Sequence, residues 1–257
     1  MFVREKGTGA DVLLLHGAPA SPHDFQPLVD RLVSKYRVLV PDMPGYGQSR
    51  FPSGDYTWER SIEMVEESLV ARGVSSLRAV VGFGEGANRA LSIALRGRIP
   101  VGAVVSLGGF ATLEASTRAG LNGLAQVIKV LPHLRDHTIQ QFYVTRALSP
   151  EYAASHPDEV DRVMNWLNET TPFALGWELD ALSSSEDLSP RLPGLKVPVL
   201  VRVGSLDQTF PVALSDQLAR ALPDASLQII PGKGHALLIE DLDATVDAIA
   251  SFLERGQ

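Results

Sequence analysis

The chain has 257 residues, of which 45% are apolar and 21% are charged, as in an ordinary folded globular protein. This length predicts one large α/β domain, with room for an insertion. The composition excludes disordered, collagen-like and coiled-coil chains. No window approaches the roughly 18 uninterrupted apolar residues of a membrane-spanning helix.

The net charge is −7 and the isoelectric point is near 5.4, which argues against a nucleic-acid-binding surface, because such a surface needs a basic patch. The chain has no cysteine, so disulfides, thiolate metal sites and a cysteine nucleophile are all excluded. The lack of cysteine fits a reducing cytoplasm, and residues 1–6 show no export signal. We therefore expect a cytoplasmic protein with no nucleic-acid or membrane partner.

Short runs rich in β-branched residues alternate with longer amphipathic stretches, which is typical of a parallel sheet covered by helices. Residues 57–72 and 241–253 carry apolar side chains at helical spacing, and Thr57 is placed to cap the first of these helices. Six apolar runs predict buried strands, at 12–16, 37–40, 79–82, 103–106, 199–203 and 227–230.

One long segment interrupts this alternation, because residues 111–193 contain no good strand candidate. The segment holds helical runs, such as 121–131 and 160–167, separated by prolines. A helical insertion between two strands predicts a cap over the carboxyl edge of the sheet, where the active sites of open α/β sheets lie. We therefore predict a core of residues 1–110 and 194–257 and a helical cap of residues 111–193. The prolines are Pro132, Pro150, Pro157, Pro172 and Pro190.

Five short segments follow predicted strands at the sheet edge where chemistry is expected. Each is weak evidence alone, since a His-Gly pair or a glycine-rich turn after a strand is common, but their order is specific. They are His-Gly-Ala-Pro at 16–19, Asp-Met-Pro-Gly-Tyr-Gly-Gln-Ser at 42–49, Gly-Phe-Gly-Glu-Gly-Ala at 82–87, Gly-Ser-Leu-Asp at 204–207 and Gly-Lys-Gly-His at 232–235.

In this order the five segments resemble those of the α/β-hydrolase superfamily, in particular its small, capped, lipase- and esterase-like members. The resemblance covers the chain from about residue 7 to its end. It implies an α/β-hydrolase fold, with a mostly parallel sheet flanked by helices and a helical cap inserted between strands. We expect a small-molecule substrate, no cofactor and no metal ion, and the oligomeric state stays open.

The resemblance assigns an acid–base pair to Asp207 and His235. In such a pair the carboxylate binds Nδ1, fixes the tautomer and stabilises the imidazolium that forms when Nε2 takes a proton. Taken alone, Asp207 would be a turn residue and His235 a solvated loop histidine. The backbone N–H groups of Ala18 and Glu85 are expected to form an oxyanion hole, the second of them at the start of a helix.

One position departs from the pattern of the family, whose elbow is Gly-x-Ser-x-Gly with a nucleophilic serine. The corresponding residue here is Gly84, between Gly82 and Gly86. Glycine tolerates the unusual backbone conformation of such a turn, but it supplies no hydroxyl, and neither cysteine nor aspartate replaces it. The ordinary covalent acyl-enzyme route is therefore closed on this chain.

Other nearby side chains are weaker candidates. Glu85 adjoins Gly84, but its side chain is expected to point elsewhere, and a first-turn glutamate stabilises a helix in any case. Ser106 lies at the next strand end and is expected to be a buried serine bonded to the backbone. His133 and His137 could share one helical face, but no third ligand is evident, so a surface pair is expected and not a metal site.

Three interpretations of Gly84 remain open. The chain could be an inactivated variant of a serine hydrolase whose elbow was Gly-Phe-Ser-Glu-Gly. It could be a nucleophile-free enzyme, in which Asp207 and His235 deprotonate the substrate or activate water. It could be a non-catalytic binding protein, although such a protein has no need of the retained pair. We therefore expect an enzyme of this fold that acts on a small, mainly apolar carbonyl or ester compound through the Asp207–His235 pair and the oxyanion hole. Whether its reaction is a hydrolysis stays open.

Overall fold

The computed structural model describes residues 1–167, 171 and 173–255. In this part of the chain, seven strands form one sheet. The strands are β1 (Val3–Lys6), β2 (Ala10–Leu15), β3 (Tyr36–Pro41), β4 (Ala79–Phe83), β5 (Val104–Leu107), β6 (Val199–Gly204) and β7 (Ala225–Ile230). Their order in the sheet is β1-β3-β2-β4-β5-β6-β7; β1 pairs antiparallel with β3, and the other neighbouring strands pair in parallel.

The predicted mostly parallel sheet is confirmed, and β2 to β7 coincide with the six apolar runs to within a few residues. β1 was not predicted. Its four residues, Val-Arg-Glu-Lys, form an edge strand with three charged side chains, so no apolar run marks it. Edge strands commonly carry charged residues, which block unwanted pairing with another chain.

Helices cover both faces of the sheet because successive strand residues point to opposite sides. In β2, Leu13 and Leu15 belong to one core cluster and Val12 and Leu14 to the other. The helices of the core are α1 (Gln26–Leu32), α2 (Trp58–Val70), α3 (Glu85–Arg96), α9 (Val212–Ala221), α10 (Leu237–Glu240) and α11 (Leu242–Glu254). The first cluster includes residues of α2, α3 and α9, and the second includes residues of α1 and α11.

The helix predicted at 57–72 is α2, and its capping residue is the predicted one. The Thr57 hydroxyl accepts a hydrogen bond from the Arg60 N–H at 3.1 Å, and this bond satisfies a donor that the helix itself cannot. The helix predicted at 241–253 is α11. In the described part of the chain no helix combines the length and apolar character needed to cross a membrane.

Between β5 and β6 the described residues form helices and no named strand. Ala125 and Ile128 of α4 pack with Ile139 of α5 and with Leu175 and Leu179 of α8 in a core cluster of their own. The division of the chain at residues 111 and 193 stays a prediction, and Pro172 lies outside the described residues. The helices are α4 (Ala115–Val130), α5 (Arg135–Phe142), α6 (Pro150–Ser155), α7 (Pro157–Leu167) and α8 (Ala174–Ser183).

Candidate active site

Gly84 occupies the sharp turn between β4 and α3, with φ 58° and ψ −121°. This positive-φ conformation favours glycine over residues with a side chain. The flanking glycines are needed for space: a β-carbon on Gly82 would lie 2.2 Å from the Gly86 carbonyl oxygen, and one on Gly86 would lie 2.2 Å from that of Leu15. The turn therefore keeps the geometry of an elbow although its central residue has no hydroxyl.

The structure brings Asp207 and His235 together at this turn. His235 Nδ1 lies 2.7 Å from Asp207 Oδ2, and both side chains are buried. Asp207 Oδ1 accepts hydrogen bonds from the N–H groups of Thr209 and Phe210, each at 2.9 Å, so the carboxylate is held on both oxygens. When Nδ1 donates to the carboxylate, Nε2 presents its lone pair. A β-carbon on Gly84 would lie 3.2 Å from Nε2, so the basic nitrogen faces the elbow.

Gly108, just after β5, has no side chain, and the Asp207–His235 pair occupies the space beside it. A β-carbon there would lie 2.8 Å from His235 Nδ1 and 3.1 Å from Asp207 Oδ2. Its φ of 55° is also in the left-handed region. Gly108 was not among the predicted site residues. Its one signal was the Gly-Gly pair that follows a predicted strand.

Glu240 ties the loop that carries His235 to the segment between α5 and α6. Its buried carboxylate accepts hydrogen bonds from the N–H groups of Gly234 at 3.1 Å and Ser149 at 2.8 Å, and from the Ser149 hydroxyl at 2.5 Å. The Ala236 N–H donates to the Ala147 carbonyl at 3.0 Å. No sequence signal marked Glu240, because Ser149 lies 91 residues away along the chain.

The two predicted oxyanion donors, Ala18 and Glu85, border the same small cavity as Gly84 and His235. The backbone N–H groups of Ala18 and Glu85 donate to no acceptor among the described residues. Glu85 begins α3, and the first N–H groups of a helix have no partner within it and carry partial positive charge. Both donors are therefore available to a ligand atom. The cavity measures about 10 Å³, which is room for roughly one water-sized group.

The Glu85 side chain points away from this cavity into a buried ionic network. Its carboxyl group accepts from Arg89 at 3.2 Å, and Arg89 also binds Glu178 of α8 and lies 3.9 Å over the ring of Trp58. The Tyr56 hydroxyl donates to Glu178 at 2.5 Å. Burial and the neighbouring Glu178 carboxylate raise the pKa of Glu85 well above its ordinary value. Burial and Glu178 therefore favour the neutral form of Glu85, which is the form that places no negative charge beside the oxyanion donors.

His16 is a structural residue of the first motif. Its Nε2 accepts a hydrogen bond from the Met43 N–H at 3.1 Å, so Nδ1 carries the proton and donates to the Gly17 carbonyl at 2.9 Å. Burial lowers the pKa of His16 to about 4, which keeps the ring neutral at physiological pH. A neutral His16 joins the loop that carries Ala18 to the loop after β3.

A larger cavity of about 440 Å³ adjoins the small one and shares four lining residues with it, Ala18, Pro19, Phe142 and Phe210. Its size is typical of a small-molecule site. Leucine side chains from α4 and α8 and Ile139 of α5 form most of its wall, so it favours apolar ligands. The remaining lining residues are Thr117, Gly120, Leu121, Leu124, Thr138, Arg146, Leu175, Leu179, Leu182 and Thr209.

The weaker candidates take no part in this arrangement. Ser106 is fully buried, and its hydroxyl has no hydrogen-bond partner among the described residues; the expected bond to the backbone is therefore wrong. Its Oγ lies 2.2 Å from where a β-carbon on Gly109 would stand, which shows how tightly it is enclosed. His133 and His137 are exposed, and the described residues contain no group of three side chains that could hold a metal ion.

A family model described as the α/β hydrolase fold matches residues 12–242. Over 262 residues the chain is 27% identical to the pimeloyl-[acyl-carrier protein] methyl ester esterase of Vibrio atlanticus, covering 99% of this chain and 98% of that protein. It is 26% identical to a non-heme haloperoxidase of Rhodococcus erythropolis, covering 99% and 96%.

Solved structures share the fold. A thermophilic esterase from Thermogutta terrifontis superposes with a TM-score of 0.88 at 22% identity, over 99% of this chain and 93% of that one. An enol-lactonase from Burkholderia xenovorans gives a TM-score of 0.87 at 22% identity, over 98% and 96%. The five motifs, the seven-stranded sheet and the match of the family model to most of the chain lead to one conclusion: this protein belongs to the α/β-hydrolase fold family.

Proposed function

We propose that this protein is an enzyme that binds a small, mainly apolar carbonyl or ester compound and transforms it by acid–base chemistry at His235, without a covalent acyl-enzyme. One observation carries the proposal: Nε2 of His235 lies 3.2 Å from where a β-carbon on Gly84 would stand. The base therefore faces the bound compound itself, or a water molecule, where a serine hydrolase presents a hydroxyl of its own.

In the proposed reaction the substrate carbonyl oxygen accepts hydrogen bonds from the N–H groups of Ala18 and Glu85. His235 Nε2 removes a proton from an acidic C–H or O–H group of the substrate, or from an attacking water. The electron pair released moves onto the carbonyl oxygen, where the two N–H donors stabilise the negative charge. Asp207 stabilises the imidazolium, which then returns the proton to the leaving group or to the product.

The raised pKa of Glu85 supports this assignment. An ionised carboxylate at the first position of α3 would oppose negative charge that develops on the substrate oxygen. Burial favours the protonated form of this carboxyl group, and its side chain accepts from Arg89 at 3.2 Å. The positive end of the α3 dipole then acts on the substrate oxygen.

The two adjoining cavities support the proposed substrate class. The small one accommodates the reacting carbonyl group between the oxyanion donors and the Asp207–His235 pair, which we call the dyad. The larger one accommodates an apolar remainder against α4, α5 and α8. We propose that residues 111–193, to which these three helices belong, act as a cap that selects the substrate. The names of the relatives and fold neighbours, an ester esterase and an enol-lactonase among them, agree with a carbonyl or ester substrate.

The test is a rapid-mixing experiment with p-nitrophenyl butyrate and a panel of apolar carbonyl compounds. We expect slow, linear product release with no burst, and a loss of about 10²- to 10⁴-fold in His235→Ala, because a general base contributes about that much. A stoichiometric burst in the wild-type protein, or full activity in His235→Ala, would contradict the proposal. Binding of apolar carbonyl compounds with no turnover of any would favour a non-catalytic binding protein instead.

A further inference from the structure

We infer that the larger cavity binds apolar compounds that carry an anionic group, and that Arg146 recognises this group. The inference deepens the proposed function and rests on it for the identity of the pocket, since it names the class of ligand. Arg146 is the one charged residue among the described residues that line the 440 Å³ cavity. None of the described residues that line this cavity carries a carboxylate that would repel an anion.

The guanidinium group of Arg146 has no hydrogen bond or ion pair with the described residues. Other arginines of this region are engaged: Arg135 donates to Asp136, and Arg118 donates to the carbonyl groups of Leu113, Ser183 and Ser185. The chain has 30 acidic residues against 23 basic ones, so acidic partners are abundant. Arg146 is exposed as well as lining the cavity, and since no described residue pairs with its charge, we assign its counter-ion to the ligand.

Two of the three threonine hydroxyls in the wall are already engaged, whereas an anion needs free hydrogen-bond donors. The Thr138 hydroxyl donates to the Leu134 carbonyl at 2.8 Å. The Thr209 hydroxyl donates to the Arg146 carbonyl at 3.3 Å. A guanidinium group offers five N–H donors and matches a carboxylate or phosphate in a bidentate fashion. Arg146 is therefore the main donor available to a ligand in this cavity.

The backbone around Arg146 is anchored beside the candidate active site. Its carbonyl accepts the bond from Thr209, two residues after Asp207, and the next residue, Ala147, accepts from the N–H of Ala236 at 3.0 Å. Ala147 lines the small cavity above Gly84. A ligand with its carbonyl group at Gly84 and its anionic group at Arg146 would thus extend from the small cavity into the large one.

Calorimetric titration of the protein with octanoate, octyl phosphate and 1-octanol at pH 7.5 tests this inference. The three probes share one apolar chain and differ in charge. We expect at least one anionic probe to bind about 10- to 100-fold more tightly than 1-octanol, the range expected for hydrogen bonds to a charged group. Arg146→Gln should reduce this preference to within about twofold while binding of 1-octanol persists. The tighter anion identifies the recognised group as a carboxylate or a phosphate.

The matched control is Arg220→Gln, which removes the same charge from α9, where Arg220 pairs with Asp216 and does not line the cavity. This variant should keep the anion preference. His235→Ala should also keep it, because binding needs no proton transfer, so a failure of the proposed chemistry is distinguishable from a failure of anion recognition. Equal binding of the three probes, binding of none, or an anion preference that survives Arg146→Gln overturns the inference.

Discussion

His235 Nε2 lies 3.2 Å from the position that a β-carbon on Gly84 would occupy. This distance is short for a contact of a β-carbon, so a side chain at Gly84 requires a small shift of the imidazole ring. A serine hydroxyl at this position would lie within hydrogen-bond reach of the ring. The residue that faces His235 Nε2 is therefore the one at which the elbow of the family carries its serine.

Gly84→Ser should create a working nucleophile. We expect the variant to be labelled at residue 84 by a fluorophosphonate and to show burst release from p-nitrophenyl butyrate, the fingerprint of an acyl-enzyme. The wild-type protein should show neither. The positive φ should lower the free energy of unfolding by about 1–3 kcal/mol, which urea denaturation measures. A typical folding free energy of about 5–15 kcal/mol leaves the variant folded.

The matched control for this backbone strain is Gly97→Ser. Gly97 has a φ of 65°, and a β-carbon there would meet nothing within 4 Å. This variant should lose comparable stability without gaining any label. A folded Gly84→Ser protein that is not labelled would mean that the dyad or the oxyanion donors are placed incorrectly. Restored turnover of an ester in Gly84→Ser would favour an ancestor or parent with serine at the elbow.

Asp207→Asn should lower kcat by up to about 10⁴-fold on any substrate that the wild-type protein turns over, because an amide in this position favours the wrong histidine tautomer. Ligand binding in the larger cavity should change little, since Asp207 does not line it. Steady-state kinetics and calorimetric titration measure the two effects separately. An Asp207→Asn protein with unchanged kcat would remove the orienting role from this carboxylate.

Gly108→Ala should disturb the dyad, because the added methyl group would lie 2.8 Å from His235 Nδ1 and 3.1 Å from Asp207 Oδ2. We expect a loss of about 10²-fold or more in kcat, as displacement of a catalytic group by about 1 Å can cost this much. Gly97→Ala is the control, since its positive φ carries the same type of strain with no neighbour to displace. Equal activity of the two variants would show that the space at Gly108 has no influence on the dyad.

Asp24 should make the stability of the protein depend on pH. Its carboxyl group is buried, Oδ2 accepts from the Ser21 N–H at 2.9 Å, and Oδ1 has no partner among the described residues. Burial raises the pKa of Asp24 from 3.8 to about 6. Because the folded pKa exceeds the unfolded one, this group's contribution is fully present below about pH 4 and is lost as the pH rises through about 6.

Asp24→Asn removes this ionisation and should flatten the pH dependence. A shift of about two units corresponds to at most about 3 kcal/mol, so the variant should gain up to that amount relative to the wild-type protein between pH 4 and 7.5. Urea denaturation at both pH values measures it. Asp247→Asn, at an exposed carboxylate on α11, serves as the control and should show no such gain. A constant difference between Asp24→Asn and the wild-type protein at both pH values would contradict the assignment.

The sequence by itself was sufficient for the features that depend on local pattern. Apolar runs identified β2 to β7, because a strand buried on both faces needs apolar residues at successive positions. Thr57 identified the start of α2, since a cap requires a side-chain acceptor at that one position. The motif order pointed to Gly84, Asp207 and His235, and the missing hydroxyl was visible in the sequence alone.

Tertiary structure decided what depends on contacts between distant segments. β1 escaped detection because pairing with β3, and not apolar content, makes it a strand. Gly108 lies against His235, and Glu240 binds Ser149, across long separations in the chain, so no local spacing could reveal these contacts. Ser106 was expected to bind the backbone, yet its tightly enclosed hydroxyl has no partner among the described residues. Arg146 became a candidate ligand-binding residue only when the folded chain placed it in the wall of an apolar cavity, where no described residue pairs with its charge, because charge pairing is a property of the fold and not of the sequence.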